Sequence, residues 1–467
     1  MDSDVIHGAS PAATAPGAGR YPSMRLCVGY GMGSAGVAIM LNTVSVYFPA
    51  LMSTVLGVSP VVAGTLLMLS KRYDAFADVV IGTSSDRTQS RWGRRRPYLL
   101  AGAIGSFLSL CMIFLAPPLG STALIVYMGL ALVVYSTGYS LFNVPYLALP
   151  ADITRSNGER LRLISFRTAA IGIGQLTALA LSAWLIQRGG GGASGYRMMG
   201  IVMAVLALSF MLISFLGTAR ARLNEVGTTT HKPSLRDLGD AMGNRPLMLL
   251  LGAKLCQYVA FGVMQPINLL FLLNITSLGM TGMIHLAIVQ NLMIFVSMPV
   301  WTRLGVRLGK RNAYLLAQAI MIPSVLSWWW ADADLGLPGL WARGMSFGFA
   351  SAGALLMSTS ILPDTIEYDR LRTGRERGGI FASLYSVNEK LGFAIGAAIL
   401  GWGMAWGGYV ATTGGKIVQQ APSAIHALYL IKTLVPSGML LVGVFLLTRY
   451  RLTEDVLAAM RSAQTKD

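Results

Sequence analysis

Residues Ser70–Tyr98 read SKRYDAFADVVIGTSSDRTQSRWGRRRPY. The stretch opens inside an apolar run that nevertheless carries Lys71, Asp74 and Asp78. It closes in a short polar link with Arg87, Arg91, Arg94, Arg95 and Arg96. A carboxylate at mid-bilayer costs about 2.5–3.5 kcal/mol on insertion scales, so such residues mark an ion or substrate path. A short link dense in arginine marks the cytoplasmic side. One segment thus supplies a candidate coupling site and an orientation.

Working outward, the 467 residues are 54% hydrophobic and only 12% charged. Soluble chains carry roughly 25% charge, so this balance belongs to a polytopic membrane protein. The net charge of +17 sits mainly in short links between apolar runs. It is a topology signal suited to anionic lipid headgroups, not a nucleic-acid surface. Cys27, Cys111 and Cys256 lie in apolar runs and show neither metal spacing nor a disulfide framework. The first residues lack a basic and an apolar signal region, so 1–22 is expected to be a cytoplasmic tail.

Runs near the roughly 20 residues needed to cross fall near 26–51, 60–84, 97–117, 122–149, 163–187 and 196–217. Six more follow near 247–273, 280–303, 312–331, 337–362, 379–407 and 424–448. Runs this long span as helices. The links after spans 2, 4, 6, 8 and 10 are basic; those after 1, 3, 7 and 9 contain no Lys or Arg, and those after 5 and 11 hold only Arg188, Arg197 and Lys416. Both termini are therefore expected in the cytoplasm.

The halves echo each other. RWGRRRPYLLAGAI around the second link is answered by VRLGKRNAYLLAQAI, so that Gly93, Tyr98 and Leu99 match Gly309, Tyr314 and Leu315 at an offset of 216. The expected fold is an all-α membrane protein with twelve transmembrane helices in two pseudo-symmetric six-helix bundles. Its segments are 1–22 tail, 23–217 first bundle, 218–246 linker, 247–448 second bundle and 449–467 tail. Duplicated bundles place a substrate site at mid-membrane between them.

Lys71, Asp74 and Asp78 share one helix face. Two acids one turn apart can both ligate a cation, or one can hold a proton because its neighbour is charged. Lys71 balances the empty site. The alternative is a static ion pair between helices. Gly82, Asp86, Arg87, Gly93, Arg94 and Arg95 sit at the membrane edge and read as a gating clamp. In SLFNVPYLALPADITR, Pro145 removes a backbone donor, while Ser140 and Asn143 offer neutral oxygens to a cation or a hydroxylated ligand. Arg167 is placed in the interior, binding substrate hydroxyls or a carboxylate or pairing with Asp74 or Asp78, in preference to snorkelling. Lys390 is expected to face the acids of the second span and sense cation occupancy. Lys254, Lys432, Arg343 and His285 are read as snorkelling or hydrogen-bonded laterally, and Trp328–Trp330 as an interfacial belt.

These segments resemble the major facilitator superfamily, and within it the glycoside–pentoside–hexuronide:cation symporters. RYDAFADVVIG with DRTQSRWGRRRPYLL, NVPYLALPADITRSNGERLRLISFR and LPDTIEYDRLRTGRERGGIFASLYSVNEKLGFAIGAAI carry the resemblance. It implies that Asp74 and Asp78 bind the coupling cation and that Asp74 also meets the sugar. It further implies that Ser140 and Asn143 complete these sites, that Arg167 lines the sugar pocket and that Lys390 lies near the cation. The family pattern has acids where Ala38 and Asn143 stand and a tryptophan at Leu147. Those departures argue against galactoside specificity, and the missing third acid tilts the coupling ion toward H+ over Na+.

The expected function is cation-coupled symport of a sugar or glycoside by alternating access, in a bacterial-type inner membrane. The alternative is transport of a lysophospholipid or another amphipathic metabolite. No enzyme motif, nucleic-acid partner or cofactor beyond the ion is expected, and the protein is expected to work as a monomer among membrane lipids.

Overall fold

The computed structural model describes residues 23–88, 90, 93–154, 157–219, 235–375, 377–415, 418–452, 456–457, 459–460 and 462. The 1–22 tail, Arg91, Lys416, most of the linker and part of the 449–467 tail expected from the sequence lie outside the described residues, as does the side chain of Asp86. Regular structure among the described residues is helical, apart from an isolated bridge between Leu56 and Thr413.

The first half comprises α1 Met24–Ala50, α2 Pro60–Arg87, α3 Arg96–Phe114, α4 Ser121–Ile153, α5 Asn157–Leu176, α6 Ser182–Arg188 and α7 Ala193–Gly217. Widened turns at Leu51–Val55 and Thr177–Leu181 extend α1 and join α5 to α6 into one span. A short helix, α8 Leu235–Met242, precedes α9 Arg245–Asn274, α10 Gly279–Leu308, α11 Lys310–Leu326, α12 Leu337–Thr373, α13 Gly378–Trp406 and α14 Pro422–Thr448. Asn244 caps α9 by accepting from the Leu247 amide at 3.1 Å.

Nine of the described helical stretches are long and apolar enough to cross a membrane. The remaining three spans, α2, α11 and α13, pack among them. α2 is interrupted by Lys71, Arg72, Asp74 and Asp78, and α13 by Glu389 and Lys390. α11 stops at Leu326, where Ser327–Trp330 tightens into a 3-10 turn. Two of the three thus lose apolarity to charges carried at mid-depth.

The duplication is visible in backbone detail. Gly93 and Gly309 precede α3 and α11 with φ of 92° and 78°, a region that glycine adopts without Cβ strain. Arg96 donates to the carbonyls of Phe215 and Ala219 at the end of α7. Arg311 donates likewise to Leu447 and Thr448 at the end of α14. A guanidinium there satisfies carbonyls that the helix end leaves without partners.

Small residues let the helices touch at backbone level. A Cβ on Gly102 would lie 2.4 Å from the Phe142 nitrogen, and one on Gly36 would lie 2.9 Å from the Ala207 oxygen. Such close approach drives helix association where lipid supplies no hydrophobic contrast.

The two halves meet through α2 with α13, α1 with α9, and α5 and α6 with α10. The contacts concentrate at the end opposite the arginine-rich links. There a Cβ on Gly64 would lie 2.6 Å from the Ala397 oxygen, and one on Gly401 would lie 2.5 Å from the Pro60 oxygen. The amides of Thr412, Gly414 and Gly415 donate to the carbonyls of Ser53, Val55 and Thr54 at 2.7, 2.8 and 2.9 Å. Gln187 donates to Thr281 at 3.0 Å. At the arginine-rich end, Arg94 and Arg95 pair with Asp152, Lys310 with Asp364, and Arg377 with Asp369, each within one half. The protein is therefore sealed at the end opposite its arginines.

One sequence expectation needs correction: Trp328 is buried against Phe271, and only Trp329 and Trp330 are exposed as a belt would be. Lys254 and Lys432 take the lateral alternative read from the sequence: both are buried, Lys254 donating to Gln257 and Ser358 and Lys432 to Asn268. Hydroxyl and amide partners make burial cheaper than extension of the chain to water.

Overpacking the sealed end is expected to open it. Gly401→Leu sets a side chain against the α2 backbone at a cost of about 1–3 kcal/mol. A cysteine at Ala63, in a background lacking Cys27, Cys111 and Cys256, should react with a maleimide faster in the Leu variant than with Gly401 intact. Equal rates would mean that the glycine contact does not hold the seal.

Candidate cation and substrate site

α2 and α13 run antiparallel, so their glycine contact at one end fixes which residues meet further in. At a rise of about 1.5 Å per residue, Asp74 and Asp78 lie roughly 15 and 21 Å beyond Gly64. Lys390 lies roughly 16 Å back from Gly401 on α13. The two levels coincide. Lys390 Nζ stands 3.1 Å from Asp74 Oδ2 and pairs still more closely with Asp78 Oδ2. It also reaches the Asp74 carbonyl at 3.5 Å.

Ser140 of α4 completes the group, its Oγ lying 3.0 Å from Asp74 Oδ1 and 2.6 Å from Asp78 Oδ1. Ser70 and Ser136 join the same two helices one turn away at 2.9 Å. Asp74 is 2% exposed, whereas the Asp78 side chain keeps 25%. One acid is thus enclosed and the other is reachable.

Lys71 makes no direct ion pair here. Its ammonium sits 5.8 and 5.9 Å from the ring centroids of Tyr135 and Tyr139, and Lys390 approaches the Tyr139 ring at 5.9 Å. Ring faces hold a cation without neutralising it. Two carboxylates and two ammonium groups therefore balance at this level.

Asn143 donates to Tyr139 Oη at 3.0 Å, with no hydrogen bond to either acid among the described residues. α4 runs without a break through Pro145 and Pro150. Arg167 lies on α5 of the first half, and its Nε is buried without a hydrogen-bond partner. It is within electrostatic reach of Tyr30 and Tyr146, which stack at 4.6 Å.

Among the residues read as a clamp, Arg94 and Arg95 both grip Asp152 at the end of α4, at 2.7 and 2.5 Å. Arg87 is exposed in the last turn of α2. Gly82 makes only ordinary contact with Val144 of α4. Asp152 was missed in the sequence, although LPADITR carries an acid at the end of its span.

Glu389 and Lys254 were missed as well. Glu389 is exposed despite lying roughly 16 Å along α13. Lys254 lies below the rings of Tyr258 and Tyr385, 4.4 and 5.8 Å from their centroids. The signal was available, since each is an ionisable residue well inside an apolar run.

A bundle of twelve spans with facing charges on opposed halves defines a membrane carrier. A family model described as MFS/sugar transport protein matches residues 29–454, and the chain belongs to that family. The glucuronide carrier protein homolog of Escherichia coli (strain K12) is 30% identical, over 92% of this chain and 93% of the relative. The isoprimeverose transporter of Lactiplantibacillus pentosus is 26% identical, over 88% and 85%. A putative glycoside/cation symporter, YagG of Escherichia coli (strain K12), is 26% identical, over 92% and 93%. A bacterial homolog of the human lysosomal transporter Spinster, solved inward-facing and unoccupied, shares the fold at a TM-score of 0.66 and 14% identity, covering 94% of this chain and 98% of that one. The resemblance read from the sequence therefore stands at the level of family and fold.

Removing Lys390 is expected to expose the energetic role of the pair. Lys390→Met leaves a buried and a partly exposed carboxylate bridged by Ser140 without their counter-charge, a loss below the roughly 3–5 kcal/mol of a fully buried pair broken on one side. The melting temperature in detergent should fall, and Asp78→Asn added to Lys390→Met should restore part of it. Strict additivity of the two changes would show that the groups do not interact.

Proposed function

We propose that the protein is a cation-coupled symporter that moves a sugar or glycoside across a bacterial-type inner membrane by alternating access. The observation that carries this reading is Lys390 of the second half seated between Asp74 and Asp78 of the first. A tethered ammonium occupies the place a coupling cation would take. Loading the site changes its charge, and the two halves feel that change directly because the partners stand on opposite sides of their interface. The relatives named as a glucuronide carrier, an isoprimeverose transporter and a glycoside/cation symporter support a sugar cargo.

In this reading Asp74, Asp78 and Ser140 form the cation site, with Lys390 as its occupant in the empty carrier. Asn143, Arg167 and Lys71 lie beside it toward the substrate, and Asp74 serves both. The clamp of Arg94 and Arg95 on Asp152 keeps α3 and α4 moving together as the halves rock. The donor set favours H+ over Na+. The oxygens next to the Lys390 ammonium come from Asp74 and Asp78 alone, with Ser140 bonded to both acids and Asn143 donating to Tyr139. A proton needs one oxygen, whereas Na+ needs several. The basic links support a cytoplasmic position for the arginine-rich end, both termini and the open side. The carrier works as a monomer and needs no cofactor beyond the ion.

Purified protein in liposomes should accumulate members of a glycoside panel when a pH gradient, acidic outside, is imposed. Na+ gradients should add little. Asp74→Asn and Asp78→Asn should each reduce accumulation to background while the proteins elute and melt as folded species. Uptake driven by Na+ alone would reverse the choice of ion. Undiminished accumulation in both variants would overturn the coupling assignment.

A further inference from the structure

The first half presents Ala38 and Asn143 where acids would be expected, so beyond Asp74, which the cation site also engages, a cargo rich in hydroxyl groups needs a further acceptor. Glu389 meets that need. It neighbours Lys390, and adjacent residues point about 100° apart on a helix. With Lys390 turned to α2, Glu389 faces a different sector. Its charge is felt by Lys254 of α9, Lys71 of α2 and Arg167 of α5 as well as by Lys390. Those residues come from both halves, and the next residue, Lys390, sits at the contact of α13 with α2, so Glu389 lies beside the seam between the bundles. Asn388 fixes this part of α13 by donating to the Leu251 carbonyl of α9 at 3.0 Å.

The carboxylate makes no hydrogen bond or ion pair with another described residue, although it stands at mid-depth. Lys254, the first of its electrostatic neighbours, is spent on Gln257 at 2.7 Å and Ser358 at 3.1 Å. An ionised carboxyl is an acceptor only, with room for two or more donors. Arg167 offers the opposite chemistry, a guanidinium whose buried Nε has no acceptor. Glu389 and Arg167 thus stand on different halves within electrostatic reach of each other, one open to donors and the other lacking an acceptor at Nε.

We propose that Glu389 is the substrate-reading acid of this carrier. It accepts hydrogen bonds from neighbouring hydroxyls of a glycoside ring while Arg167 donates to oxygens at the ring's far edge. The inference rests on the symport reading above and adds to it a subsite on the second half. A ring held from both sides draws the bundles together over it. Carboxylate–hydroxyl bonds of this kind are the strong, charge-assisted sort.

The experiment compares wild type, Glu389→Gln and Glu389→Asp in proteoliposomes. The probes are p-nitrophenyl β-D-glucoside, β-D-xyloside and β-D-glucuronide, with the 2-deoxy and 3-deoxy forms of each. For whichever probe wild type transports, Glu389→Gln should raise KM about tenfold or more, the loss expected for a hydrogen bond to a charged group. The ion dependence of uptake should stay where it is, whereas Asp74→Asn abolishes gradient-driven accumulation. At least one deoxy probe should lose about tenfold in wild type and almost nothing further in Glu389→Gln, because the bond is already gone. Glu389→Asp, which keeps the charge and guards against a Gln variant that fails to fold, should fall between the two. An unchanged KM in both variants overturns the proposal while leaving symport intact. A deoxy penalty that persists in full in Glu389→Gln also overturns it, showing a structural counter-charge instead. A wild type that transports no probe under any gradient removes the symport reading and this proposal together.

Discussion

The structure depends on one ion group shared between its halves, with Lys390 of α13 held by Asp74 and Asp78 of α2. Each partner alone would be an expensive charge in the core of a membrane. Together they satisfy one another, and Ser140 accounts for a further oxygen on each acid. The consequence is directional. The residues that must be neutralised lie on different bundles, so the charge state of a single site biases how the bundles sit against each other. A pair confined to one bundle, like Arg94 and Arg95 with Asp152, stabilises that bundle and says nothing to the other.

Backbone contact gives this group its register. Gly64 and Gly401 bring α2 and α13 so close at one end that any side chain would hold them apart. From that fixed point, helical rise alone sets Asp74, Asp78 and Lys390 at a common level. The amides of Thr412, Gly414 and Gly415 reinforce the same end through main-chain bonds, which need no particular side chains and can break and reform without burying a charge. A seal of this kind is strong enough to exclude water and cheap enough to open. Rigid helices between the seal and the ion group then convert a small local separation into a rocking of whole bundles.

Much of this was legible beforehand. Apolar runs and alternating basic links specify helices and their number, because a bilayer leaves a spanning chain no other way to satisfy its backbone. The offset of 216 residues between matching segments announced the duplication, and Gly93 and Gly309 carry it into matching positive φ. The spacing of Asp74 and Asp78 put both on one face, and Lys390 was read as facing them. Tertiary choice was not legible. Nothing in the sequence says that Asn143 bonds to Tyr139 instead of the acids, or that Lys71 rests on tyrosine rings. Trp328 and Trp330 are the same residue type two positions apart, yet one is core and one is belt, decided by where α11 tightens. Lys254 and Glu389 were underread for a related reason: a single charge in an apolar run identifies its partner only after helices distant in sequence have packed.

The placement of these charges bears on how the proposed carrier would avoid leaking its ion gradient. With Lys390 seated, the ion group is balanced, so its own charges do not oppose rocking of the empty carrier. An added cation upsets that balance, and desolvating the surplus charge opposes closure. Closure then needs a compensating gain, and it must come from contacts that exist only when cargo is present. Glu389 and Arg167 are suited to supply it, since each holds bonding capacity that the protein leaves unused and they stand on opposite halves. Without cargo both stay unsatisfied, and only in the ion-loaded carrier does that cost add to a surplus charge. Cargo between them satisfies both and spans the interface that has to close. The same residues that read the ring would therefore also make its presence the condition for ion movement, which is what obligatory coupling requires.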